Sequence, residues 1–229
     1  MERRHLETKF SDTHYLRSPS LLLKPPPPDR LPNEPPEEWL AAARAQWEWR
    51  GVTRPDFAVI PDATKGQVSV WDFPRPPVIV GEARAIIIHW GDIQIANTTK
   101  AVAVLETSHP PTFYLPWDDV DRALFIPGRG SSYCEWKGLA QYWTLAQGEK
   151  RLTNVAWGYP APLAGAEILA NRLAFYADSL RCTVGGETVA PQPGGFYGGW
   201  VTPELVGPFN LETAVGRVCP TGIASPLGT

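Results

Sequence analysis

The stretch Ala85-Ile86-Ile87-Ile88-His89-Trp90-Gly91-Asp92-Ile93-Gln94-Ile95-Ala96-Asn97-Thr98-Thr99-Lys100-Ala101-Val102-Ala103-Val104-Leu105-Glu106 decides the fold class. Its apolar runs at 85–90, 92–96 and 101–106 are strand-sized and rich in Val and Ile, and Gly91 and residues 97–100 supply turns between them. Working downstream, 133–137, 140–145 and 153–157 read as further strands. Residues 180–184 and 187–190 flank Gly185-Gly186 and read as strand, tight turn, strand. One helical pattern interrupts them at 163–176, where Ile168, Leu169, Leu173 and Tyr176 share a face. The expectation is a mainly β domain of antiparallel sheets with one helix.

Upstream of that domain the signal changes twice. Pro36, Glu37 and Glu38 suit a helix N-terminus, and Gly51 a terminator, so the segment 35–51 reads as one helix. Its aromatic stripe, Trp39, Ala43 and Gln46/Trp47, is expected to dock on the main domain. Residues 52–80 mix prolines with short apolar pieces and read as a connector over the domain surface. Before them, 1–34 contains four consecutive prolines at 25–28 and reads as an extended, flexible arm. The expected organisation is an arm at 1–34, a helix and connector at 35–80, a β domain at 81–210 and an irregular tail at 211–229.

Composition narrows the function classes. With 24 acidic and 21 basic side chains, the chain has no global basic field, so no nucleic-acid partner is expected. No apolar run approaches the ~20 residues that span a bilayer, so no membrane partner is expected. The charged start lacks the apolar core of a signal peptide, and 3 cysteines cannot complete a disulfide framework. A cytoplasmic, thiol-reduced protein is the expectation. The four histidines and three cysteines are scattered without zinc-ligand spacing, and no phosphate-binding glycine loop occurs, so neither metal nor other cofactor is expected.

Several ordered words carry a resemblance to a known family. Leu105-Glu106-Thr107-Ser108-His109-Pro110-Pro111-Thr112-Phe113-Tyr114-Leu115-Pro116 and Ser131-Ser132-Tyr133-Cys134-Glu135-Trp136-Lys137-Gly138 are the longest. Ala140-Gln141-Tyr142-Trp143, Ala156-Trp157-Gly158-Tyr159-Pro160, Ala174-Phe175-Tyr176 and Gly194-Gly195-Phe196-Tyr197-Gly198-Gly199-Trp200 follow in order. Residues 80–210 thereby resemble the domain-of-unknown-function 427 family. The resemblance implies a tent-like pair of antiparallel sheets, similar to methionine sulfoxide reductase B, and no established reaction. The chain departs from that wider fold in lacking paired Cys-x-x-Cys hairpins, and from the family in continuing as Asn210-Leu211-Glu212 after Phe209.

Candidate chemistry falls within those words. Glu106 shares a strand face with Val102 and Val104, so its carboxylate must find a cation or take up a proton. Lys137 is the expected partner, because the resemblance carries both residues. Cys134 is a candidate nucleophile or a buried filler; in an extended strand it faces away from Lys137, and only a bend near Gly138 joins them. Tyr114, Tyr133, Trp136, Tyr142, Trp157, Tyr197 and Trp200 are candidate walls of a small-molecule pocket. His109 reads as a loop residue at its rim. The leading expectation is a small intracellular enzyme acting on a hydrophobic small molecule by acid–base chemistry: isomerisation, cyclisation or dehydration. The alternatives are a non-catalytic module binding a small molecule or peptide, and a thiol redox protein. A protein partner for the proline-rich arm is also open.

Overall fold

The computed structural model describes residues 35–209, so the arm at 1–34 and the tail at 211–229 lie outside the described residues. The chain is mainly β, with α1 (Glu37–Ala45) the one α-helix among the described residues. The strands begin with β1 (Val68–Ser69), β2 (Val78–Glu82), β3 (Ile86–Trp90), β4 (Ile93–Thr98) and β5 (Ala101–Glu106). They continue with β6 (His109–Pro116), β7 (Phe125–Cys134), β8 (Gly138–Gln147), β9 (Lys150–Gly158) and β10 (Arg172–Phe175). Short strands follow: β11 (Arg181–Val184), β12 (Glu187–Thr188), β13 (Ala190–Pro191), β14 (Trp200–Val201) and β15 (Leu205–Val206).

Two antiparallel sheets dominate, one ordered β2-β5-β6-β10-β9-β8-β7 and the other β12-β11-β3-β4. Side chains alternate across the larger sheet with the two-residue period of a strand. Ala101, Ala103, Phe113, Leu115 and Leu173 join Ile86, Ile88, Ile95 and Val184 of the smaller sheet in one core. Val102, Val104, Tyr114 and Ala174 belong to a second cluster with Trp157 and Tyr159. Both faces of the sheet are therefore covered, which is why β5 is a continuous apolar run rather than an alternating one.

Residues 163–176 are not a helix. They form a short 3-10 turn (Glu167–Leu169) followed by β10. Gly165 and Asn171, at φ 89° and 56°, adopt the left-handed conformation that interrupts a helix. The apolar spacing belongs to two elements: Leu169 packs in the outer cluster and Leu173 in the core between the sheets. The segment 109–116, expected as a loop at His109, is a strand despite Pro110-Pro111. Its register shifts between Val104 and Glu106 where β5 meets β6, and such an irregularity at a strand start tolerates proline.

The N-terminal helix is shorter than the segment read for it. It stops at Ala45, where Arg50 Nη2 donates to the Arg44 carbonyl at 3.1 Å. Leaving the helix lets two indoles diverge. Trp47 stacks under the Arg75 guanidinium, while Trp49 enters a cluster with Val70, Trp71, Phe73 and Ala58. That cluster roots the connector in the fold, and the connector's last apolar piece is the edge strand β2.

Candidate functional site

The site lies on the outer face of the seven-stranded sheet. A cavity of about 120 Å3 opens there over Val104, Glu106, Thr112 and Tyr114 of β5 and β6, and over Tyr142 and Trp157 of β8 and β9. Its roof comes from elsewhere: Trp39, Ala43, Gln46 and Trp47 in and just after α1, and Phe196, Tyr197 and Gly198 near the other end. Trp39 meets Tyr133 edge-on at 5.4 Å, and Tyr197 lies 4.5 Å from the His109 ring. Gly198 is a packing requirement, because a Cβ there would collide with the Trp157 indole.

The floor is charged. At the β5–β6 turn, Glu106 is bonded through one oxygen to Arg75 Nη2 at 3.0 Å and through the other to Lys137 Nζ at 3.4 Å. Arg75 is almost wholly buried, at 1% side-chain exposure, and also donates to the Thr107 carbonyl at 2.9 Å. Burial alone would raise the Glu106 carboxyl, but Lys137 and Arg75 outweigh it and hold the group at about 2. Burial likewise opposes the Lys137 ammonium, yet Cys134, Glu106 and their acidic neighbours keep it protonated well above the ordinary lysine range. The pair is thus a closed ion pair at rest.

Lys137 reaches that position through a turn. β7 ends at Cys134, the Lys137 N–H donates to the Cys134 carbonyl at 3.3 Å, and Gly138, the first residue of β8, takes a φ of 105°. The strand read over 133–137 is therefore a strand end followed by a bend, which brings Lys137 to the same cavity as Cys134. The Cys134 thiol is pushed up to about 11 by burial, against the pull of Lys137, so it rests as a neutral thiol. Cys182 packs in the other core cluster and is likewise pushed up to about 12 by burial.

Two further polar groups belong to the site. The Gly199 N–H donates to Gln192 Oε1 at 3.2 Å, which fixes the amide; Gln192 Nε2 then donates to His109 Nδ1 at 2.9 Å. His109 accordingly carries its proton on Nε2, and that buried N–H has no acceptor among the described residues. Burial depresses His109 to about 4, so the ring is neutral near pH 7. Glu135, in the turn, accepts the Trp47 indole N–H and has its backbone carbonyl bonded by Arg44 Nε at 3.0 Å. Burial, helped by the Glu106 charge, raises its carboxyl above the usual range.

Of the residues read from the sequence, Glu106, Cys134, Lys137, Tyr114, Tyr133, Tyr142, Trp157 and Tyr197 all line this cavity. Trp136 and Trp200 do not. Trp136 sits in the turn with the Arg44 guanidinium 5.0 Å over its ring, outside the cavity. Trp200 is buried between the sheets, its indole donating to the Phe175 carbonyl at 2.8 Å. His109 is buried at 5% exposure rather than standing on a loop. Sequence reasoning missed Arg75, Glu135 and Gln192. Arg75 lies in a Pro-Arg-Pro-Pro run that carries no periodicity, and Gln192 acts only through a long-range contact. Trp39 in α1 and Trp47 just after it were legible as a docking stripe but not as a pocket roof.

No group of three or more His, Cys, Asp or Glu arranged to hold a metal ion occurs among the described residues, and no helix among them is long and apolar enough to cross a membrane. Residues 78–186 match the model of a family described as a domain of unknown function (DUF427). No curated protein matches the chain.

Proposed function

Because residues 78–186 match the model of a family described as a domain of unknown function (DUF427), a description that assigns no reaction, we propose a function from the site itself: the cavity encloses a hydrophobic small molecule of single-ring size and polarises one of its oxygens. The observation that carries this reading is a protonated lysine at the floor of an aromatic-walled cavity of about 120 Å3. A dry apolar cavity of about 150 Å3 accommodates benzene, which sets the size of the enclosed group.

The electrostatics divide the labour. Glu106, at about 2, is too weak a base for proton abstraction near neutral pH and serves as the anchor of Lys137. Lys137 acts as the hydrogen-bond donor to the ligand oxygen. Glu135 lines the same cavity with a raised proton affinity and is the better proton acceptor. A donor on a carbonyl oxygen and a base nearby suit isomerisation, cyclisation or dehydration. The raised Cys134 thiol favours thiol chemistry less.

Native mass spectrometry of gently purified protein, with extraction of anything bound, tests the reading. A discrete organic mass that is lost in Lys137→Met is the expected result. A ligand-free mass, together with no thermal stabilisation by any of a panel of single-ring compounds, would overturn it. The second reading, a non-catalytic binding module, rests on the same cavity; recovery of chemically unchanged ligand after prolonged incubation would favour it over an enzyme.

A further inference from the structure

Resting on the small-molecule reading of this cavity, we infer that Lys137 and His109 together form an oxyanion site, and that the ligand is a monocyclic compound whose oxygen is, or becomes, anionic: a phenolate or an enolate. The floor has donors in surplus. Glu106 spends both oxygens on Arg75 and Lys137, and Lys137 uses a single N–H on it. The lysine therefore keeps N–H groups for another acceptor. His109 Nε2–H is a second, buried donor without an acceptor among the described residues, and Gln192 locks the tautomer that presents it. An unsatisfied buried donor is costly in a native fold and calls for a partner.

Both donors border the cavity, and both lie close enough to Glu106 to feel its charge. Their arrangement is preorganised: the lysine is tied by an ion pair and a turn, the imidazole by a buried amide. Such fixed donors stabilise negative charge developing on an oxygen without having to reorient, which is how an oxyanion site lowers a barrier. The aromatic walls accept a flat ring. Glu135, the remaining carboxylate in the cavity, would take the proton whose loss creates the anion, so proton and charge balance within the site.

Phenols mimic enolates and supply the probe. Binding of 4-fluorophenol and of the more acidic pentafluorophenol to the full chain at pH 7 would be followed by fluorine NMR. The matched fluorotoluenes control for ring hydrophobicity, and 4-fluorobenzylammonium tests the opposite charge. The expected result is an affinity that rises about tenfold or more with phenol acidity, beyond any rise in the toluenes, as charge-assisted hydrogen bonds require. Lys137→Met and His109→Phe should each flatten that dependence. The wild-type series decides the matter if either variant fails to fold. Phenols and toluenes binding alike would overturn the oxyanion site and leave the small-molecule reading standing. Tighter binding of the benzylammonium would replace it with a cation-binding aromatic cage. Failure of every probe to bind would sink both.

Discussion

At the level of single residues, the site turns on what a buried carboxylate does. The position of Glu106 on an apolar strand face already required a cation or a proton, and the fold supplies two cations. Lys137 was legible from the shared words; Arg75 was not, since nothing local marks a lysine-like partner arriving 31 residues earlier in sequence. Removing the carboxylate strands two buried positive charges, so Glu106→Gln should cost about 3–5 kcal/mol of stability in chemical denaturation. Acid should act in the same place. His109 falls from 6.5 to about 4 on folding, so the unfolded chain binds the extra proton between those values and stability drops as pH falls through that window. Glu106 falls from 4.5 to about 2, so its contribution, on the order of 3 kcal/mol, is present above 4.5 and lost as pH falls towards 2. Denaturation midpoints measured from pH 7 down to 3 should decline in both ranges. Replacing His109 by Gln should remove the decline in the upper one; an unchanged profile would mean that the imidazole is not buried neutral.

Among the elements, the central strands were readable because their apolar runs are short, β-branched and cleanly punctuated. The errors arose where one pattern served two elements. Leu169 and Leu173 keep helical spacing, yet Asn171 turns the chain between them and sends them to different cores. Proline misled at β6, since the residues that forbid a ladder bond sit where the ladder is already irregular. The roof is the element with the clearest consequence. Trp39 closes the cavity against Tyr133 from a nine-residue helix whose attachment depends on Glu135, through Arg44 and Trp47. Trp39→Ala should therefore weaken binding of a single-ring ligand about tenfold or more, the effect of losing one aromatic anchor, with little loss of domain stability. Gly198→Ala should act from the opposite wall by displacing the Trp157 indole. Fluorescence titration of both variants beside the wild type checks this, and ligand affinity unchanged in both would show that the roof does not touch the ligand.

Across the whole molecule, one sheet serves two interiors. Its inner face and the four-stranded sheet make the core that holds the fold, while its outer face carries the cavity, with walls from segments on either side of the matched residues 78–186. The polar floor comes largely from within that span, through Glu106, His109, Glu135 and Lys137, whereas Arg75, Trp39, Trp47, Gln192 and Tyr197 come from outside it. On the proposed reading, selectivity for a ligand's shape would belong largely to the flanks and its chemistry to the matched residues. The two interiors should also respond separately to mutation. Ile88 is fully buried in β3, between the sheets and away from the cavity, so Ile88→Ala should destabilise the protein by about 2–5 kcal/mol, the cost of a core cavity. Below the lowered melting temperature, its affinity for a ring probe should match the wild type. Val104 is nearly as buried but lines the outer cavity, so Val104→Ala should change ligand affinity as well as stability. Parallel denaturation and calorimetric titration of the two variants separates the effects. If Ile88→Ala altered affinity as much as Val104→Ala, the sheet would transmit strain from one face to the other, and the division into a structural interior and a chemical one would fail.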